Sequence, residues 1–281
     1  MAQKPSLKLG FVMTSLERLI GINGARLAKA VQVGSLFHDV SQIEEALRRY
    51  CMHIFANNDD NEYPHSFSGS GTAVRIGRRH FLFCCGHQLT HFRPDQIALH
   101  PHQSDVTLTA SHMLQPIQTP ENADTDYIDA RAFEYDVENY PFPNLSSEFF
   151  PASDDRIWPH CAVGTFLLYG FPTHRQSISY DPPNVTARML ATTAKFDGAT
   201  NSPYLLRLKL NSKLSSDGMS GGPVFYIGGQ RDRFFVGWAG MIMRGGAASE
   251  YLHFLAADYL IEMALHLPID EMIVSPGEAR M

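Results

Sequence analysis

The spacing of apolar residues changes twice along this chain. Near the amino terminus it is helical. In "IEEALRRYCMHIF", Ile43, Ala46 or Leu47, Tyr50 and Ile54 fall on one face of a 3.6-residue repeat. Ser41 and Glu44 have the spacing of a capping box for that helix. Thr14 and Glu17 repeat the signal before "LERLI", with Gly21 and Gly24 placed to stop it. After the polar stretch "ANNDDNEYPHS" the texture becomes short runs rich in β-branched and aromatic residues: "GTAVRI", "RHFLFCC", "VTLTA", "AVGTFLLYGF", "YLLRLKL", "PVFYI" and "RFFVGWAGMIM". Gly, Pro, Asn and Asp separate them, which predicts many short strands closed into a barrel or sandwich. Helical spacing returns in "EYLHFLAADYLIEMALHLP", where Leu252, Leu255 or Ala256, Tyr259 and Met263 share a face and Pro268 follows. The Pro-rich "YPFPNLSSEFFPASDDRIWP" reads as a crossover between two β halves. The stripe Ile43, Leu47 and Tyr50 is expected to be buried against the β part or against a partner.

Composition narrows the setting. The 281 residues are 44% hydrophobic with a formal net charge of -6, an ordinary globular balance. That charge, and the lack of a useful basic run, argue against nucleic acid as the main partner. Four cysteines (Cys51, Cys84, Cys85 and Cys161) are few, and two are adjacent. Free, buried thiols in a reducing compartment are expected. Thr14, Ser15, Glu17 and Arg18 interrupt any signal-peptide core, and no apolar run is long enough to span a bilayer. The expected setting is the cytoplasm, with no membrane partner.

The candidate chemistry lies in "SSDGMSGGPVF", Ser215 to Phe225. Glycines around a lone serine allow φ > 0 and close backbone approach, which lets Ser220 project from a tight turn. A serine hydroxyl needs a base to become a nucleophile, usually a histidine oriented by a carboxylate. It also needs N–H donors for the oxyanion, which the amides of Gly218 and Ser220 are placed to supply. A histidine, His87, follows the run "RRHFLFCCG" where a strand should end in small residues.

Together, "GSGTAV", "RRHFLFCCGHQL" and "DGMSGGPVF" resemble the trypsin-like (chymotrypsin-fold) serine peptidases, in the manner of a bacterial-type intracellular member. The resemblance covers roughly Phe67 to Leu267. The serine motif Gly-x-Ser-Gly-Gly-Pro is intact. In the histidine motif Cys84, Cys85 and Gly86 stand where the family has Thr-Ala-Ala. The resemblance implies two six-stranded antiparallel β-barrels, residues 61–150 with the histidine and aspartate and residues 151–281 with the serine and a carboxy-terminal helix. Residues 1–60 form an added helical segment. It implies a Ser220, His87 and Asp129 triad acting through an acyl-enzyme, with Gly218 and Ser220 as oxyanion donors. Asp126 is the alternative carboxylate. It further implies that Leu214 lies at the floor of the specificity pocket, Asp217 at its rim, and Met243, Arg244 and Gly245 on the strand edge that pairs with a peptide. Gly245 and Gly246 are expected to leave the pocket mouth open. Met219 replaces the aspartate that zymogen members pair with a newly cut amino terminus, so no such switch is expected here.

Other readings belong to the same residues. The chain is a catalytically silent peptide-binding module of the same fold, or a protease activated by a partner through the amino-terminal helices in a stress or defence system. "HQLTH" places His87 and His91 four apart as in zinc peptidases, but Gln88 stands where the base would be. "GGQ", Gly228 to Gln230, reads as a hairpin turn. No cofactor or metal is called for.

Overall fold

In the computed structural model, the described residues are 30–101, 107–116, 125–140, 144–160, 164–180, 183–230, 233–245, 249–265 and 269–273. The expected helix at residues 14–20, together with Cys161 and Gly246, lies outside them. Alternating apolar runs become strands throughout. A hairpin of β1 (Ala30–Val33) and β2 (Leu36–Asp39) leads through helix α1 (Ile43–Arg48) to β3 (Cys51–Asn57), β4 (His65–Ile76) and β5 (Arg79–Cys85). Next come β6 (Ile97–Leu99), β7 (Leu108–Thr109) and β8 (His112–Pro116), then a one-turn helix α2 (Asp126–Asp129) and β9 (Ala130–Tyr135). The connector carries β10 (Phe150–Ala152). The second half holds β11 (Phe166–Gly170), β12 (Gln176–Tyr180), β13 (Pro183–Ala187), β14 (Leu190–Ala199), β15 (Leu205–Leu214), β16 (Pro223–Gln230), β17 (Arg233–Gly245) and β18 (Ser249–Ala256). Helix α3 (Ala257–Leu265) and β19 (Ile269–Ile273) follow.

The second half closes. The order β16-β11-β14-β15-β18-β17, with β16 also paired to β17, is a six-stranded antiparallel barrel, and β1 adds to β17 in parallel. The first half does not close among the described residues. It is a curled half-barrel ordered β19-β8-β9-β5-β4-β3-β6-β7. This corrects the expectation of two closed barrels. The free edge of β8 is taken by β19, and β7 has only two residues to offer. The connector serves both halves: β10 pairs with β4, and Ile157 bridges Trp238 of β17.

Two helix expectations also change. Helix α1 stops at Arg48, and "CMHIFAN" becomes β3, paired with β4 and β6. Sheet pairing on both sides outweighs the helical spacing there. Ser41 does not cap α1: Asp39 caps the preceding 3₁₀ turn Val40–Gln42 by accepting the Ser41 N–H at 2.9 Å, and Gln42 leads into α1 with no side-chain capping bond. At the other end, Ser249–Ala256 is a strand, because closing the barrel requires one between β15 and β17. Only Ala257–Leu265 is helical, with Tyr259, Leu260 and Met263 buried. Ile43, Leu47 and Tyr50 are buried as expected. They share one core with Val74, Phe81 and Phe83 of the half-barrel and with Tyr169, Phe225 and Trp238 of the barrel. "GGQ" ends β16, with Gln230 opposite Arg233 across a hairpin.

Candidate functional site

The chain turns sharply after β5. A 3₁₀ turn, Gly86–Leu89, is closed by the Gln88 side chain, whose Oε1 accepts the Cys85 N–H at 2.8 Å. This turn presents His87 to solvent. A Cβ on Gly86 would lie 2.9 Å from the Arg131 guanidinium carbon and 3.1 Å from Asp129 Oδ1. Glycine there lets the acid-bearing segment come close. Helix α2 ends at Asp129, and its carboxylate meets His87 twice. Oδ1 accepts the His87 backbone N–H at 2.7 Å, and Oδ2 lies 2.6 Å from Nδ1. A carboxylate only accepts, so Nδ1 carries the proton and the neutral ring keeps its lone pair on Nε2.

The electrostatics follow this contact. The Asp129 hydrogen bond raises the His87 imidazole above its ordinary value, burial opposes it, and the charges of Asp129, Asp126 and Asp217 add to the rise. Burial pushes the Asp129 carboxyl up, but the His87 hydrogen bonds and charge outweigh it and hold it below its ordinary value. Asp126 is buried and its Oδ2 lies 3.2 Å from Arg244 Nε, so it is engaged with the opposite half.

The serine sits in the loop between β15 and β16. Gly218 and Gly221 have φ of +86° and +85°. Met219 N–H donates to Ser216 O at 2.9 Å, Gly222 N–H to Met219 O at 3.0 Å, and Gly221 N–H to Ile242 O at 2.7 Å. Among the described residues the N–H groups of Gly218 and Ser220 donate to no protein acceptor. The loop's carbonyls are held instead. Thr173 N–H donates to Asp217 O at 3.0 Å, and Ser70 Oγ to Gly218 O at 2.7 Å. Gln88 Nε2 donates to Ser220 O and Thr72 Oγ1 to Gly221 O, both at 2.7 Å. The loop thus spends its acceptors on the scaffold and leaves the Gly218 and Ser220 N–H groups uncommitted. Such a pair of N–H groups is what an oxyanion requires.

The other candidates are distributed less evenly. Leu214 is half-buried at the end of β15, opposite Ser249. Asp217 is exposed. Arg244 is exposed beside Asp126. The Met243 side chain is buried in the shared core, 3.8 Å from Cys85 Sγ. Gly245 is exposed, and a Cβ there would collide with the Leu252 side chain and Ser216 Oγ, so the packing requires glycine. The sequence reading missed Ser70, Thr72, Thr173 and Gln88. Their signal was slight: hydroxyls at alternate positions of "SGSGT", and an amide next to the histidine.

Cys85, His87 and Asp129 place donor atoms within 4.8 Å of one another. Burial raises the Cys85 thiol well above its ordinary value, and it points at the carbonyls of Ile242 and Met243. Both Asp129 oxygens already accept from His87. That donor chemistry fits an oriented histidine better than a metal centre. His87 and His91 do not share an α-helical face, because the 3₁₀ turn ends at Leu89. Cys51, Cys84 and Cys85 are free and buried, with the Cys84 thiol raised to about 12 by burial. Among the described residues no helix is long and apolar enough to cross a membrane. Compared with known proteins, the chain matches no protein-family model and no curated sequence.

Proposed function

We propose that this chain is a serine endopeptidase of the trypsin-like kind, acting on protein or peptide substrates. Ser220 is the nucleophile, His87 the general base and then acid, and Asp129 the group that orients the ring. The observation that carries the reading is the pair of hydrogen bonds that His87 donates to Asp129, from its backbone N–H and from Nδ1. It fixes the tautomer with a basic Nε2 in a turn joined to the serine loop. Nε2 takes the proton from Ser220 Oγ as Oγ bonds to the substrate carbonyl carbon. The oxyanion is received by the Gly218 and Ser220 N–H groups. Collapse breaks the C–N bond, and His87 gives the proton to the leaving amine. Water then repeats the sequence on the acyl-enzyme and frees Ser220. The closed barrel beside a curled half-barrel is compatible with this family's double-barrel architecture.

Ser220→Ala is expected to abolish cleavage of a proteome-derived peptide library and labelling by a fluorophosphonate probe, without loss of fold. Cleavage by Ser220→Ala at the wild-type rate overturns the assignment. A wild-type chain that binds peptides but never labels supports the silent binding module.

A further inference from the structure

The half-barrel carries a row of hydroxyls at alternate positions of β4. Ser70 and Thr72 are two apart and share a face, and Ser68 is the unpaired residue of a bulge at Gly69, whose φ is +117°. Ser68 Oγ donates to Gln88 O, Ser70 Oγ to Gly218 O, and Thr72 Oγ1 to Gly221 O. Ser70 and Thr72 are fully buried. One strand therefore grips both the histidine turn and the serine loop. Between these grips stands the Gln88 side chain. Its Oε1 accepts from Cys85 N–H at 2.8 Å, and its Nε2 donates to Ser220 O at 2.7 Å and toward Ser70 O at 3.3 Å. Room for this amide is made by glycine. A Cβ at Gly69 would collide with Gln88 Nε2, and one at Gly221 would collide with Ser70 O and lie 3.0 Å from Gln88 Oε1.

We propose that Gln88 is a positioning residue that sets the distance between His87 and Ser220 by tying the histidine turn to the carbonyl of the nucleophile itself. The inference rests on the serine peptidase reading. Gln88 is the next residue after His87, and its donor ends on Ser220. A shift in either turn is thereby resisted by one planar amide held at both ends. Its two ends have separable roles: Oε1 closes the turn, and Nε2 joins the turns.

Two variants separate them. Gln88→Glu keeps an oxygen for Cys85 N–H but sets a second oxygen against Ser220 O. Gln88→Met removes both contacts at similar volume. With a peptide substrate, kcat and the rate of fluorophosphonate labelling are expected to fall on the order of 100-fold in both variants, as for a displacement of about 1 Å. KM should stay within about threefold. Amide exchange in the peptide spanning 215–222 should quicken in both. If only Gln88→Met loses activity while Gln88→Glu matches wild type, Gln88 is merely a turn cap and the proposal is overturned. Should Gln88→Glu fail to fold, Gln88→Met with wild-type kcat and unchanged loop exchange overturns it equally. Failure of the underlying reading is distinguishable, because wild-type protein would then not label and Ser220→Ala would change nothing.

Discussion

Asp126 and Asp129 stand three apart on one helical turn, yet they do opposite work. Asp129 spends both oxygens on His87, while Asp126 is engaged with Arg244 of β17. Asp129→Asn is therefore expected to lower kcat by about 10³- to 10⁴-fold, because an amide permits the wrong tautomer. Asp126→Asn should stay within about tenfold. Equal losses, measured side by side with one peptide substrate, would remove the distinction. The same pair sets a pH dependence. In the proposed reaction His87 acts only when neutral, and Asp129 raises its pKa. Activity should then rise with pH through a midpoint above the usual histidine value of about 6.5. In Asp129→Asn that midpoint should move down. A midpoint that stays fixed would mean another group controls the profile.

At the scale of elements, the serine loop is shaped by what lies behind it. Met219 is fully buried beside Phe166, Leu168 and Val224, and a Cβ on Gly170 would lie 3.0 Å from Met219 Cα. An apolar side chain seats the loop. Full-length protein with a blocked amino terminus is expected to label stoichiometrically at Ser220. Met219→Asp would place a charge in this core with no partner, at a cost of about 3–5 kcal/mol in urea unfolding. Near-neutral stability of Met219→Asp would show that a cation reaches this position.

For the whole molecule, one core cluster joins the two halves, and each half has a further cluster of its own. A polar contact crosses the same junction. His53 of β3 lies 2.7 Å from Gln176 Oε1, and Gln176 Nε2 donates to Phe171 O, which orients the amide to accept from His53. Burial pushes the His53 imidazole down to about 4, against the Gln176 bond. Its Nδ1 is buried with no hydrogen-bond partner among the described residues. The unfolded chain titrates near 6.5. Between these values the unfolded state binds more protons, so stability rises with pH across the window and is lost as pH falls from about 6.5 toward 4. The full window is worth about 3 kcal/mol. Melting temperature should drop across it in wild type and much less in His53→Asn. Parallel curves for the two proteins would exclude His53 as the source.

The local pattern of this chain determined its strands. Runs such as "RHFLFCC" and "RFFVGWAGMIM" alternate or stay apolar over strand lengths, and the structure makes them β5 and β17. The glycines of "DGMSGGP" likewise announced a tight loop, because φ near +85° is open to few other residues. The ends of the chain were less legible. "CMHIFAN" and "EYLHFLA" carry helical spacing, but each lies between two strands, and ladder pairing on both edges decides their form. Closure depended on which edges were already occupied, a matter of contacts distant in sequence. The separation of Asp129 from Asp126 was equally tertiary, since both share a turn and only the position of Gly86 and Arg244 tells them apart. Gln88 bonds a carbonyl 132 residues away. Periodicity reports which face of an element is buried, but only the folded chain determines which distant carbonyl meets an amide.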